Sequence, residues 1–146
     1  MNIRYATMAD LDDIASVEAE CFPVLEAATK EEFEQRIKYY GNHFWLMFDN
    51  DKLIAFVDGF VTDEANLTDE MYENASMHNE NGAWQMIFGV NTLPEYRRCG
   101  YAKELIKKAI LDAREQNRRG LVLTCKESLV PYYSKNQLFI RQFEKT

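Results

Sequence analysis

The pattern that constrains the fold most is a helix framed by two short apolar strands in the second half of the chain. Residues 84–90 lie in a near-continuous apolar run, which is typical of a strand buried on both faces. After a turn, one apolar stripe at helical spacing runs through residues 100–117. The stripe consists of Ala102, Leu105, Ile106, Ala109, Ile110 and Ala113. Residues 121–125 form a second apolar strand, so we expect a right-handed β–α–β unit with parallel strands.

The rest of the chain predicts antiparallel strands and further helices. Residues 43–61 read as two strands around a turn at residues 49–51, which predicts a hairpin. Before the hairpin, apolar residues at helical spacing in residues 10–22 predict one helix. Thr29 and Glu32 form a capping box for a second helix, which stops near Gly41. A short helix is predicted after Thr68. The predicted fold class is therefore α/β: a mixed, mainly antiparallel sheet with a parallel β–α–β core and helices on both faces.

Length and composition favour a single domain over residues 1–146. A hydrophobic fraction of 47% can fill one core, and no apolar run is long enough to cross a bilayer. The acidic N-terminus lacks the apolar segment of a secretion signal. Cys21, Cys99 and Cys125 have no paired spacing, which indicates free thiols in a reducing cytoplasm. The net charge of −7 argues against nucleic acid as a general partner.

Charge is unevenly distributed along the chain. Residues 63–80 contain six acidic and no basic residues, whereas residues 97–119 contain eight basic and three acidic ones. Two solvated faces of opposite sign are one explanation. The other is one region for a cationic ligand and one for an anionic ligand.

The segment between the strand and the long helix carries the most specific signal. Arg97 and Arg98 precede Gly100 at the start of the helix, where the dipole is positive and basic side chains are disfavoured. A bound phosphate removes that conflict, because helix N–H groups and arginines both attract it. Gly100 and the small Ala102 would let it approach closely. A P-loop and a dinucleotide fingerprint are excluded because their further residues are missing. A plain helix start with surface arginines remains the alternative.

In this context the sequence resembles the GNAT superfamily of N-acetyltransferases. The family pattern Arg/Gln-x-x-Gly-x-Gly/Ala follows a strand ending in Val, and it is matched here by Val90, Arg97, Gly100 and Ala102. Residues 121–135, LVLTCKESLVPYYSK, look like the arylalkylamine branch of the superfamily. The resemblance covers roughly residues 2–135.

The resemblance implies acetyl-CoA as cosubstrate, bound between the strand ending at Val90 and the strand ending at Cys125. The pantetheine amides are expected on the exposed backbone of residues 88 and 90, and the pyrophosphate on the N–H groups of residues 98–103. The implied cofactor-binding residues are Phe88, Val90, Arg97, Arg98, Cys99, Gly100, Tyr101, Ala102 and Lys103.

Acetyl transfer to an amine requires a neutral amine and a proton donor for the leaving thiolate. A lysine-like amine has a pKa of about 10.4, so fewer than about one in 10³ is neutral at pH 7. By resemblance Tyr133 is the acid, with simple packing against the sheet as the alternative. The histidine pair of the arylalkylamine branch is replaced by Trp84 and Met86. Glu80 is a candidate base, although a solvated acidic loop explains Glu80 as well.

The two histidines of the chain show no metal-ligand spacing. We expect His43 to cap a strand start and His78 to be exposed, so no metal site is predicted.

The family pattern fails near the C-terminus. Gln137 and Leu138 replace its Gly-Phe, and one more strand at most can follow, so the last hairpin is predicted to be incomplete. A homodimer that covers the exposed sheet edge is favoured over an open pocket or a crippled chain. We predict a cytoplasmic, acetyl-CoA-dependent N-acetyltransferase that acts on a small primary amine. The alternative is a catalytically weak acetyl-CoA-binding module. Arylalkylamines, polyamines, aminoglycosides and peptide N-termini all remain open as acceptors.

Overall fold

The computed structural model of the protein describes residues 1–126 and 142–144. Its strands are β1 (Asn2–Tyr5), β2 (Phe44–Asp49), β3 (Lys52–Asp58), β4 (Val61–Thr62), β5 (Trp84–Ile87), β6 (Gly89–Thr92), β7 (Gly120–Lys126) and β8 (Gln142–Glu144). Its α-helices are α1 (Leu11–Cys21), α2 (Lys30–Tyr40), α3 (Asp69–Glu73) and α4 (Tyr101–Glu115). The predicted acid Tyr133 lies outside the described residues.

The strands form a mixed sheet arrangement in two parts. One part has the order β1-β2-β3-β6 and is antiparallel throughout. The other has the order β4-β5-β7-β8, in which β5 and β7 run parallel and the chain between them passes through β6 and α4. The predicted hairpin of β2 and β3 and the predicted β–α–β unit are therefore both confirmed.

Local sequence signals explain the limits of two helices. Thr29 caps α2 as expected: its Oγ1 accepts the Glu32 N–H at 3.1 Å, and the Glu32 carboxylate accepts the Thr29 N–H at 3.0 Å. At the end of α4, Asn117 adopts a left-handed φ of 61°, and the N–H of Arg118 bonds back to the carbonyl of Ala113 at 3.0 Å. Asn117 thus ends the last turn of α4.

The predicted single strand 84–90 is in fact divided at Phe88. β5 pairs with β7 as far as Ile87, whereas β6 pairs with β3 from Gly89 onwards. The backbones cross closely at this point, since a Cβ on Gly59 would lie only 1.9 Å from the carbonyl oxygen of Met86. The β3–β4 connection therefore lies against the backbone at the end of β5, where β5 and β6 enter different parts of the sheet.

The two faces of the sheet are covered by different helices, as the sequence predicted. On one face the α1 and α2 side chains meet the even-numbered residues of β2. This core includes Ile14, Val17, Phe33, Ile37, Phe44, Leu46 and Phe56. On the other face α4 packs on the odd-numbered residues. This core includes Trp45, Met47, Ala55, Val57, Leu105, Ile106 and Ala109.

A buried carboxylate fixes α4 against the first strands. Asp112 Oδ2 accepts hydrogen bonds from the Tyr5 hydroxyl at 2.6 Å and from the Trp45 indole N–H at 2.8 Å. Burial opposes ionisation of Asp112, but these bonds outweigh it and hold its pKa below the ordinary value. Among the described residues, no helix is both long and apolar enough to cross a lipid bilayer.

Candidate functional site

The division at Phe88 leaves one edge of β6 facing away from the sheet. In an antiparallel ladder, successive residues direct their N–H and C=O groups to alternate sides. Leu93 donates to the carbonyl of Ile54, so Val90 and Thr92 direct their backbone groups to the side opposite β3. Among the described strands, β3 is the one partner of β6. The outer edge of β6 is thus a template for an extended ligand.

A groove of about 850 Å³ runs along this edge. Its lining includes seven of the nine residues predicted to bind the cofactor: Val90, Arg97, Arg98, Gly100, Tyr101, Ala102 and Lys103. Cys21, Phe22, Thr92 and Tyr96 complete it. Of the two remaining predicted residues, Cys99 is exposed on the same turn. The N–H of Phe88 donates to the carbonyl of Asp58 at 2.7 Å and is therefore used within the sheet.

The groove ends at the N-terminus of α4. Gly100 caps the helix with a φ of 83°, and Arg98 has a φ of 64°, so the chain makes a left-handed turn immediately before the helix. The first helical N–H groups, at residues 101–103, have no carbonyl partner inside the helix. A Cβ added to Gly100 would have no atom within 4 Å, so this side of the turn is open. Free N–H groups, a positive dipole end and open space together suit a phosphate.

The two arginines of the turn are placed beside these N–H groups. Arg97 is exposed, and its Nε donates to the Thr92 carbonyl at 3.0 Å, which keeps the guanidinium at the end of β6. Arg98 is also exposed and lines the groove. Their positive charge, which sequence reasoning found out of place at a helix start, thus lies at the end of the groove where α4 begins.

The sequence comparison agrees with this geometry. The family model described as "Acetyltransferase (GNAT) family" matches residues 11–136. The chain belongs to this family. No curated protein matches the sequence.

Solved structures share the GNAT fold over nearly the whole chain. The loading GNATL domain of CurA from Lyngbya majuscula has a TM-score of 0.78 and 22% identity, covering 91% of this chain and 68% of that one. The GphF GNAT-like decarboxylase in complex with isobutyryl-CoA has a TM-score of 0.77 and 21% identity, covering 95% and 73%. A GNAT family acetyltransferase from Brucella melitensis in complex with acetyl-CoA has a TM-score of 0.61 and 16% identity, covering 92% and 79%. These TM-scores establish the fold, and the neighbours give no support to the arylalkylamine branch.

The two histidines of this GNAT protein lie together, contrary to expectation. Their ring centroids are 5.2 Å apart, His43 is fully buried, and the side chain of His78 is 7% exposed. Both Nε2 atoms approach the Glu80 carboxylate, His43 at 3.0 Å and His78 at 2.9 Å. Arg118 reaches the same carboxylate at 3.1 Å. The prediction that His78 is exposed was therefore wrong. His43 precedes β2 and His78 lies between β4 and β5, so only the folded chain brings them into contact.

Hydrogen bonding determines what these histidines can do. The Nδ1 of His78 accepts the backbone N–H of Val61 at 3.0 Å, so its Nε2 carries the proton and donates to Glu80. The Nδ1 of His43 lies 2.8 Å from the side-chain oxygen of Gln85. A metal ion would require loss of the His78 proton and would compete with the nearby guanidinium, so the donor set suits hydrogen bonding better than metal binding. That the protein binds no metal stays a prediction.

The same contacts bear on Glu80 as a candidate base. Burial opposes its ionisation, but hydrogen bonds from His43 and His78 hold the pKa of Glu80 below the ordinary value, which weakens it as a proton acceptor. Glu80 also lies before the start of β5. The backbone from Trp84 to Phe88, where β5 and β6 separate, alone spans roughly 13 Å, so Glu80 is distant from that point. The role of Glu80 as a base stays a prediction.

Sequence reasoning missed a second polar cluster, on the α1 and α2 side of the sheet. The Arg36 guanidinium on α2 pairs with the Asp58 carboxylate at the end of β3 at 3.0 Å, and both side chains are buried. Glu18 on α1 and Asn91 on β6 are buried close by. A signal for the pair was present in the sequence, since Asp58 interrupts an apolar strand and Arg36 lies on the apolar stripe of its helix.

Proposed function

We propose that the protein is an acetyl-CoA-dependent N-acetyltransferase, transferring the acetyl group to a primary amine of a small molecule by direct attack on the thioester. The observation that carries the proposal is the groove in which the outer edge of β6 leads into the N-terminus of α4. An extended pantetheine chain and a diphosphate need these two features next to each other.

The strand edge supports binding of the pantetheine arm. Its two amides are extended and can pair with a free strand edge as an added strand does. Val90 directs both its N–H and its C=O to the groove, as deduced from the Leu93 pairing with β3. Because the N–H of Phe88 already donates to Asp58, Val90 is the main backbone partner in this proposal.

The helix end supports binding of the diphosphate. The N–H groups of residues 101–103 and the side chains of Arg97, Arg98 and Lys103 converge on one end of the groove. The fold neighbours described as complexes with isobutyryl-CoA and with acetyl-CoA give this assignment independent support.

The negative charge of the segment 63–80 supports the proposal that the acceptor is an amine. This acidic segment would attract a cationic amine, and Tyr133 is proposed as the acid that protonates the leaving thiolate. Within this proposal Glu80 orients or attracts the amine more readily than it accepts a proton, because its pKa is held low.

Cofactor binding is tested by titrating CoA into the wild type and two charge-reversal variants of α4 and its preceding turn. Arg98→Glu places a negative charge in the groove, whereas Arg114→Glu makes the same change on an exposed residue at the other end of α4. We expect Arg98→Glu to weaken CoA binding at least about tenfold, or about 1.4 kcal/mol, and Arg114→Glu to leave it nearly unchanged. Equal effects of the two variants would refute the assigned groove.

Turnover is tested by thiol release from acetyl-CoA with a panel of alkylamines, polyamines and aminoglycosides. Amine-dependent release supports the transferase. CoA binding without release from any amine would favour the alternative, a catalytically weak acetyl-CoA-binding module of the same fold.

A cytoplasmic location and a homodimer remain proposals from the sequence. Light scattering coupled to size-exclusion chromatography gives the molar mass directly, and a value near the monomer mass of 17.1 kDa would refute the dimer.

A further inference from the structure

A hydrogen-bond network joins the start of β2 to β5 and to the segment 78–82, which lies between β4 and β5. We call it the histidine network, and it consists of His43, His78, Glu80 and Gln85. His43 is 0% exposed and Gln85 is 1% exposed, whereas the side chain of Glu80 is 51% exposed. The network is therefore buried at His43 and reaches solvent at Glu80.

The side chain of Gln85 fixes the buried end of the network. Its Nε2 lies 2.7 Å from the Gly59 carbonyl, 3.3 Å from the Phe60 carbonyl and 2.8 Å from the Met86 carbonyl. Carbonyl oxygens only accept hydrogen bonds, so the atom that faces them must be the amide nitrogen of the carboxamide. The reversed orientation would place an oxygen against three oxygens. The side-chain oxygen of Gln85 therefore faces His43.

This oxygen determines where the first proton of His43 lies. The Oε1 of Gln85 and the Nδ1 of His43 are 2.8 Å apart, which is a hydrogen-bond distance. The oxygen cannot donate, so the Nδ1 of His43 carries a proton. In a neutral imidazole the other nitrogen, Nε2, then has a lone pair and no proton.

The Glu80 carboxylate requires a second proton between the two side chains. The Nε2 of His43 lies 3.0 Å from Oε1 and 3.0 Å from Oε2 of Glu80. A lone pair that faces two carboxylate oxygens at this distance is repelled, and the buried nitrogen is left without a donor. Either the carboxyl of Glu80 or the Nε2 of His43 must therefore hold another proton.

The other contacts of Glu80 assign this proton to His43. His78 Nε2 donates to Oε1 at 2.9 Å, and Arg118 Nη2 donates to Oε2 at 3.1 Å. Burial opposes ionisation of Glu80, but the hydrogen bond and charge of His43 and the bond from His78 hold the pKa of Glu80 below its ordinary value. The carboxyl is therefore ionised at neutral pH, and the remaining proton belongs to the Nε2 of His43.

His78 differs from His43 in carrying a single ring proton. Its Nδ1 accepts the N–H of Val61 at 3.0 Å, so the proton is on Nε2. Burial lowers the pKa of His78, its bond to Glu80 opposes that effect, and the charges of His43 and Arg118 lower it again. The hydrogen bonds thus distinguish a charged histidine from a neutral one.

The charged groups around His43 come from two elements of the described part of the chain. Glu80 and His78 belong to the segment 78–82, and Arg118 belongs to the turn after α4. β5 presents the uncharged carboxamide of Gln85, and β2 presents an indole ring 6.2 Å from the His43 ring. The Glu80 carboxylate is therefore the counter-charge of His43, and its exposed side gives solvent access to the pair.

We propose that His43 is protonated at both ring nitrogens and, as a buried imidazolium, holds the segment 78–82 against β2 and β5 as a pH-sensitive switch. When the pH is raised far enough, Nε2 loses its proton to solvent, and its lone pair then faces the Glu80 carboxylate. The attraction becomes a repulsion, so the segment is released from His43. The inference goes beyond the proposed transferase function and does not depend on it, because its readouts need neither an amine nor CoA.

The release is local because other bonds also hold the segment 78–82. The N–H of Asn79 donates to the Val61 carbonyl at 2.8 Å. Arg118 donates to the carbonyls of Glu80 and Gly82 at 3.0 and 2.7 Å. We therefore expect the switch to loosen the end of the acidic region 63–80 while the sheet stays intact.

The protonation state is measured by nitrogen chemical shifts of the imidazole rings in long-range proton–nitrogen correlation spectra at pH 7. The chain contains two histidines, so the spectra contain two rings. We expect two protonated nitrogens with similar shifts for His43, and one protonated and one unprotonated nitrogen for His78. A neutral His43 at pH 7 would overturn the inference.

Glu80→Gln tests whether the carboxylate is the cause. Its carboxamide keeps an oxygen for His78 and Arg118 and offers an N–H to the Nε2 of His43, so His43 no longer needs a second proton. We expect His43 to be neutral in this variant at pH 7, with its proton on Nδ1. Glu73→Gln, the same change of charge at an exposed position of the acidic region, should leave His43 doubly protonated.

A doubly protonated His43 in Glu80→Gln, or a neutral one in Glu73→Gln, would contradict the assigned pairing. The wild-type spectra decide the protonation state by themselves, so the inference stays testable if Glu80→Gln does not fold.

Hydrogen exchange measures the release. Protection factors of the Val61, Asn79 and Gly82 amides, corrected for the intrinsic effect of pH, are compared below and above the titration of the His43 ring signals. We expect protection in the wild type to fall about fivefold or more across this titration, and Glu80→Gln to show no such step over the same pH range. Unchanged protection in the wild type would overturn the switch.

Discussion

Replacing Glu18 by glutamine should make the protein more stable at neutral and alkaline pH. Burial raises the pKa of this carboxyl from 4.5 to about 7, because the charged form loses its hydration and the Ala28 N–H bond offsets only part of that cost. The unfolded chain returns the carboxyl to its ordinary value. At about 1.36 kcal/mol for each pH unit of difference, ionising Glu18 in the folded protein costs about 3 kcal/mol.

The direction of the pH dependence follows from proton binding. Well below the unfolded value of 4.5, Glu18 is protonated in both states and carries no ionisation penalty. Between 4.5 and about 7 the unfolded chain loses the proton first, so the free energy of unfolding falls as pH rises. Above about 7 the full penalty applies. The glutamine side chain of the variant keeps an oxygen for the Ala28 N–H and cannot ionise, so the variant avoids the penalty.

Urea unfolding at pH 5 and pH 8, followed by far-UV circular dichroism, measures this difference. We expect the free energy of unfolding of Glu18→Gln to exceed that of the wild type by about 3 kcal/mol at pH 8 and by less than about 1 kcal/mol at pH 5. Other titrating groups, including His78, are present in both proteins and cancel in the comparison. Glu20→Gln should follow the wild type at both pH values, because its side chain is exposed.

Two results would refute the reasoning. A difference that is the same at pH 5 and pH 8 would mean that the carboxamide merely packs differently and that Glu18 does not titrate as its burial implies. A variant less stable than the wild type at pH 8 would mean that ionised Glu18 is stabilised by Arg36 more than burial penalises it.

Three further predictions concern stability and binding. Asp58→Ala leaves Arg36 buried without its counter-charge and should lower the free energy of unfolding by about 3–5 kcal/mol in urea titrations at pH 7. Asp112→Ala removes a charged acceptor and should cost about 2–3 kcal/mol at pH 7. Since the pKa of Asp112 is lowered, that cost should shrink as pH falls below its ordinary value of 3.8. Gly100→Ala forces a left-handed φ on a side chain and should cost about 1 kcal/mol, and calorimetry should show CoA binding at least about tenfold weaker.

The β–α–β core could be predicted because its signals are local. The stripe of α4, the apolar runs on either side and the capping box of α2 each depend on residues within one element. The division at Phe88 could not be predicted, because it is a change of partner, from β7 to β3, between strands distant in sequence. A continuous apolar run reads the same whether its residues share one neighbouring strand or change partner half-way.

The residues of the candidate site could also be predicted only where the signal is local in sequence. The turn that is proposed to bind phosphate occupies consecutive residues around Gly100, so its chemistry was visible in the sequence. The histidine pair was missed because His43 precedes β2 and His78 lies in the segment between β4 and β5, so the two side chains meet only in the folded chain. Asp58 was visible as a charge inside an apolar run, yet its partner Arg36 lies on a helix whose position against β3 is set by the tertiary fold.

The proposed division of roles within β6 depends on the alternation of a β-strand. Val90 packs towards α4 and turns its backbone to the groove, while Gly89 and Asn91 face the polar cluster on the other side. A slip of one residue in the pairing of β6 with β3 would exchange these sides, placing Val90 against the Asp58 carboxylate and Asn91 in the apolar core under α4. Both errors bury groups without suitable partners, which penalises the slipped register. The pairing of Gly89 with Asp58 that builds the polar cluster therefore also fixes the strand edge that the cosubstrate is proposed to use.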